Sequence, residues 1–175
     1  LEAGDAVACG ASGNAAGLVM PRLDRSATPV ARLHLAAYLD ALRAYVGLLQ
    51  GVGVIEQMEA DAARADLLAD PPLPESHFQA HADGVFHPCA GVVSPRAVVE
   101  TLLRGAELRC GVAAARLARN GALWDLHDAE GRVIVSASAV VIANGAALAR
   151  FDQTRWLPLE FSRGQTEAGP LDGAP

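Results

Sequence analysis

Ala11 to Asp24 reads ASGNAAGLVMPRLD, with Gly10 just before it, and the rest of the chain is arranged around this stretch. Its first half carries Gly13 and Gly17, the short polar side chains of Ser12 and Asn14, and no charge. A backbone without bulky side chains can turn its N–H groups toward an anion, and glycine permits the positive φ angles that such loops use. The pattern predicts either a plain turn or a phosphate-binding loop, and the sequence around it weighs toward the second.

Upstream, Glu2 closes a short apolar start. This is the position at which the second strand of a dinucleotide-binding unit ends and its carboxylate takes the ribose hydroxyls. Downstream lie three more telling segments: GVFHPCAGVVSPRAVVETLL from Gly84 to Leu103, VVIANGAALARF from Val140 to Phe151, and LPLEFSRGQTE from Leu157 to Glu167. Together with the first loop, and in this order, they resemble the FAD-dependent amino-acid oxidase superfamily. Within it they are most similar to the flavin domain of the bifunctional enzymes that finish 5-methylaminomethyl-2-thiouridine at the tRNA wobble position.

The resemblance implies an α/β fold, a partial FAD-binding Rossmann-like domain of the glutathione-reductase type joined to part of an antiparallel-sheet substrate domain. Residues 1–50 and 105–150 would form the first, and 51–104 with 151–175 the second. It also implies an FAD-dependent amine oxidoreductase acting on a CH–NH bond. Its substrate would be 5-carboxymethylaminomethyl-2-thiouridine in tRNA, and a methyltransferase domain using S-adenosylmethionine would be a partner in the parent protein. A glycine or D-amino-acid oxidase is the alternative within the superfamily, and a non-catalytic partner-binding fragment the alternative outside it. The PRLD run ending the first loop and the SRGQ run near the end favour the tRNA enzyme.

The same likeness carries over site residues. Glu2 would bind the adenosine ribose, and Ser12, Gly13, Asn14 and Ala15 the FAD phosphates. Gly17, Leu18 and Met20 would run beside the isoalloxazine, where an apolar wall excludes water. Ala114 would hold adenine by its backbone, and Ala143, Asn144 and Gly145 would lie near the ribityl chain and pyrophosphate. Arg163 or Gln165 would meet the substrate carboxylate, Arg offering the bidentate fork that a carboxylate prefers.

Composition sets the outer bounds. The chain has 175 residues, 51% of them hydrophobic, with a net charge of -6 and a mean hydropathy of +0.22. Such a chain folds, and it contains no apolar run of the ~20 residues that a membrane-spanning helix needs. An acidic balance without a single Lys gives no overall attraction for nucleic acid, so tRNA handling would need a local basic patch or another domain. Cys9, Cys89 and Cys110 lack the spacing of a zinc or redox motif, which predicts free thiols in a reducing, cytoplasmic setting. His77 and His81 are four apart in a proline-broken region, and no metal site is expected there.

Local signals predict the elements. Thr28-Pro29 opens a helix whose apolar positions run from Val30 to Leu49, with a stop at Gly51. Short strand and helix signals follow over 51–59 and 61–69, and Pro71, Pro72 and Pro74 break any regular element. Residues 84–93 read as strand, turn and strand, and Ser94-Pro95 starts a helix through Arg104. Turns at Asn120-Gly121 and Glu130-Gly131 divide residues 107–142 into a three-stranded meander. The run Val140-Val141-Ile142-Ala143 reads as a strand buried on both faces, and 157–166 as a strand crossing to a second sheet. With a Leu at position 1 and no GxGxxG fingerprint, the chain is expected to be a piece of a larger protein, inactive and nearly free of FAD when purified alone.

Overall fold

A computed structural model describes residues 1–23, 28–59, 62–160 and 164. The chain divides into two compact units, one of Gly10–Leu102 and one joining Leu1–Cys9 to the described part of Leu103–Pro175.

In the unit of Gly10–Leu102, the long helix α1 spans Pro29–Ala44. Thr28 caps it, its Oγ1 accepting the Ala31 N–H at 3.2 Å, and Pro29 supplies a first residue whose missing N–H costs nothing there. The helix ends earlier than its apolar spacing suggests. Tyr45 leaves helical geometry and Gly47 takes φ +79°, so the stop lies before Gly51, and Val46 is left 78% exposed.

Two antiparallel sheets accompany α1. Strand β1 (Gly17–Val19) pairs with β5 (Gly91–Val93), Leu18 opposite Val92. Strands β2 (Val54–Gln57), β3 (Gln79–His81) and β4 (Gly84–His87) form the other, with β4 central. The two halves of 84–93 thus join different sheets, with His87–Ala90 forming the turn between them. Helix α2 covers Ala62–Ala69 and α3 covers Pro95–Leu102, where the Ser94 Oγ accepts the Ala97 N–H at 3.4 Å.

One core gathers Val19, Tyr38, Leu73, Val93 and Val98 under the inner face of α1, and a second gathers Leu67, Phe78 and Val85. Each such side chain removed from water contributes roughly 1.5–3 kcal/mol. This burial is what fixes β1 against α1.

In the other unit, β6 (Arg116–Asn120), β7 (Leu123–His127) and β8 (Val133–Ala137) form the expected antiparallel meander. Gly121 and Gly131 turn at φ +57° and +81°, which glycine adopts without a Cβ penalty. On one face Asp125 accepts from Ser136 Oγ at 2.5 Å and from Asn120 Nδ2 at 2.8 Å. The outer edge of β6 is covered where Gln153 Nε2 donates to the Leu117 carbonyl at 3.0 Å.

Two strand expectations fail. Val140–Ala143 belongs to no strand, and Val141 is 89% exposed rather than buried. A central parallel strand needs hydrogen-bonded neighbours on both edges, and no described strand pairs with this run. Residues 157–160 are not a strand either: Pro158 has no N–H, and the Leu159 N–H closes a tight turn onto the Leu157 carbonyl at 2.8 Å. Residues 161–163, 165 and 166 lie outside the described residues.

Candidate cofactor and substrate site

The glycine loop is built to be reached. Ala11–Gly13 form a single 3-10 turn, closed by the Gly13 N–H on the Gly10 carbonyl at 2.8 Å and the Asn14 N–H on that of Ala11 at 3.2 Å. Ser12, Gly13, Asn14 and Ala15 are all exposed, and the turn packs on α3. From there the chain enters β1. Gly17 faces Pro95, and an added Cβ would come within 3.1 Å of the Pro95 Cγ, so a side chain at this position would press the strand away from α3.

Beyond β1 the chain and α1 enclose a cleft of about 270 Å³. Leu18, Val19, Met20 and Arg22 form one wall. His34, Ala37, Tyr38, Ala41 and Tyr45 form the other, spaced along one face of α1. Leu18 is 59% exposed at the opening, and Tyr38 only 4% at the base. The Tyr38 ring meets the His77 ring edge-on, centroids 5.9 Å apart. Its hydroxyl and the His77 Nδ1 are buried without a hydrogen-bond partner among the described residues. Burial, followed by the nearby Cys89 thiol, pushes the Tyr38 phenol up to about 12, so it stays neutral at physiological pH. Arg22 and His34 are exposed polar side chains of the lining, and among the described residues none of the lining side chains is acidic.

Glu2 stands in the other unit. Its N–H donates to the Arg109 carbonyl and its carbonyl accepts from the Val112 N–H, both at 2.9 Å, so it is tied to the segment that leads to Ala114. One carboxylate oxygen takes the Gly4 N–H at 2.9 Å, leaving the other as an acceptor. Ala143, Asn144 and Gly145 are exposed where the chain enters the 3-10 turn Gly145–Arg150, and Gly145 has φ +57°. Arg163 and Gln165 lie outside the described residues. The loop and β1 residues are thus brought together in one unit, and Glu2 and the Ala114 segment in the other.

These residues fit the parts of an FAD. An exposed, uncharged turn with short side chains suits phosphates, and a carboxylate with a free acceptor suits a ribose diol. A description of an FAD dependent oxidoreductase family matches residues 1–171 of the chain. The chain belongs to that family. Among curated proteins, a tRNA 5-methylaminomethyl-2-thiouridine biosynthesis bifunctional protein from Methylobacillus flagellatus is 33% identical across 100% of the chain and 31% of its own length. The protein of that name from Chromobacterium violaceum is 34% identical across 94% of the chain and 29% of its own length, and the one from Stutzerimonas stutzeri is 40% identical across 67% and 16%. The chain spans about a third or less of the length of these relatives.

Members of this family are FAD-dependent oxidoreductases, and the antiparallel sheets with packed helices are those of an α/β protein. Arg22 and His34 line this cleft and are not among the residues singled out in the sequence. The PRLD run was the available signal, since it carries Arg22 at the end of an apolar strand. Among the described residues no three His, Cys, Asp or Glu side chains are grouped to hold a metal ion, and no helix is long and apolar enough to cross a membrane. Cys9, Cys89 and Cys110 are free.

Proposed function

We propose that the chain is the flavin part of a cytoplasmic enzyme of tRNA wobble-uridine modification, oxidising the secondary amine of 5-carboxymethylaminomethyl-2-thiouridine and removing its carboxymethyl group. The observation that carries this reading is the similarity across the whole chain to proteins named for biosynthesis of 5-methylaminomethyl-2-thiouridine in tRNA. A bifunctional parent also accounts for a second activity, a methyltransferase domain using S-adenosylmethionine to methylate the amine once freed. Residues 1–50 and 105–150 belong to the FAD-binding domain, and 51–104 and 151–175 to the substrate domain.

The residues divide the work as follows. Ser12, Gly13, Asn14 and Ala15 hold the phosphates by backbone N–H and short polar groups, Glu2 the ribose by its free carboxylate oxygen, and Ala114 the adenine. Ala143, Asn144 and Gly145 lie along the ribityl chain, and Gly17, Leu18 and Met20 form the apolar wall of the isoalloxazine. Bound here, FAD would supply a two-electron acceptor for hydride from the carboxymethyl carbon beside the amine nitrogen, and hydrolysis of the oxidised substrate would release glyoxylate and leave the primary amine. The apolar wall keeps water from the reduced cofactor, and Arg163 or Gln165 orients the carboxylate.

The test is a product assay. The parent protein, given FAD and tRNA that carries 5-carboxymethylaminomethyl-2-thiouridine, should release glyoxylate and leave the primary amine in equal amounts. Unchanged tRNA alongside rapid turnover of free glycine would replace this reading with a small-amine oxidase.

A further inference from the structure

We propose that Cys9 and Cys110 form a redox pair, in which Cys9 reacts with a peroxide and Cys110 resolves the product into a disulfide. The two stand far apart in the sequence, so no short motif announces them; backbone hydrogen bonds bring their surroundings together. The Glu2 N–H and carbonyl reach Arg109 and Val112, and the Gly111 N–H donates to the Gly4 carbonyl at 2.8 Å, so Cys110 lies inside the stretch that Glu2 and Gly4 hold. Cys9 returns to the same place. A Cβ added to Gly4 would come within 3.0 Å of the Cys9 Sγ, so this thiol packs over the bare α-carbon of the residue whose carbonyl holds Gly111. Gly4 is the neighbour that the two share.

Their exposure suits the two roles. Cys9 is exposed, Cys110 half-buried, and both are free thiols. A sensing thiol must be open to its oxidant, with a resolving thiol poised beside it. The backbone has room to close the bond, since residues 1–10 and 106–115 form neither helix nor strand, and Gly111 turns at φ +69° with nothing near its α-carbon. In the reaction the Cys9 sulfur attacks one peroxide oxygen and the O–O bond breaks, giving a sulfenic acid and water. The Cys110 sulfur then attacks the Cys9 sulfur; the S–S bond forms, the S–O bond breaks, and the oxygen leaves as a second water. Two thiols give up two electrons and two protons, and the peroxide is reduced to two waters. Cys89 belongs to the other unit, where its thiol donates to the Ser76 carbonyl at 3.2 Å. It is the internal control.

The experiment treats the parent protein with one equivalent of hydrogen peroxide, alkylates the remaining thiols, and digests it without reductant for mass spectrometry. The Cys9 and Cys110 peptides should appear linked and separate again with dithiothreitol, while Cys89 is alkylated throughout. Cys110→Ser should abolish the link and raise severalfold the Cys9 sulfenic acid trapped by dimedone; Cys9→Ser should leave Cys110 alkylated. Circular dichroism of each variant should match wild type, because sulfur is exchanged only for oxygen. Absence of the linked peptide, linkage of Cys9 to another cysteine, or equal trapping in wild type and Cys110→Ser would overturn the pair. None of these readouts depends on tRNA oxidation, so the outcome stands apart from the proposed function.

Discussion

The Glu2 carbonyl accepts the Val112 N–H at 2.9 Å, and this bond anchors Glu2 beside the segment that runs to Ala114. The backbone is held from both sides, since the Glu2 N–H also reaches the Arg109 carbonyl. Its carboxylate therefore has a fixed origin, with one oxygen on the Gly4 N–H and the other left as an acceptor, which we propose takes a ribose hydroxyl. Glu2→Ala is expected to weaken FAD binding by the parent protein about tenfold or more, the loss of a charge-assisted hydrogen bond. Glu2→Gln should lose less, because its amide oxygen still accepts. Flavin fluorescence on dilution measures both, and an unchanged Glu2→Ala affinity would take Glu2 out of the ribose site.

Gly84 begins the central strand β4, where the neighbouring backbone leaves no space for a side chain. A Cβ there would overlap the Glu56 carbonyl oxygen and come within 2.8 Å of the Met58 nitrogen. Backbone cannot swing aside as a side chain can, so Gly84→Ala should cost about 1–3 kcal/mol or more. Gly10→Ala, where nothing lies within 4 Å, is the control. Urea unfolding should separate the two variants; equal midpoints would contradict the close approach of β2 and β4.

Asp125 makes the stability of the meander depend on acid. The hydrogen bonds from Ser136 and then Asn120 hold its carboxyl below the usual carboxylate range. A carboxyl lowered on folding stabilises the protein above its unfolded value near ~4, and that contribution disappears as pH falls through the lowered folded value. Ser136→Ala should reduce stability at pH 7 and flatten the loss between pH 5 and 2. Denaturation midpoints at several pH values check this, and parallel curves for variant and wild type would contradict it.

What could be read in the sequence was what short-range chemistry decides. Thr28-Pro29 starts α1 and Ser94-Pro95 starts α3 because a cap needs only its own turn, and Asn120-Gly121 sets a hairpin for the same reason. The stop of α1 was misread because Gly47, inside the apolar run, takes the positive φ that ends the helix before Gly51. Val140–Ala143 misled for a longer-range reason: composition marks a buried strand, but strand formation depends on partners, and none of the described segments pairs with it. The cleft was hidden likewise. Arg22 and His34 share it only because burial of Val19 and Tyr38 brings β1 against α1.

The wobble nucleosides of the cell report most directly on the proposed oxidation. In cells lacking the parent gene, mass analysis of hydrolysed tRNA should find 5-carboxymethylaminomethyl-2-thiouridine accumulated and 5-methylaminomethyl-2-thiouridine absent, with the pattern restored by the wild-type gene. Normal 5-methylaminomethyl-2-thiouridine, with no accumulation of the carboxymethylaminomethyl form, would contradict it.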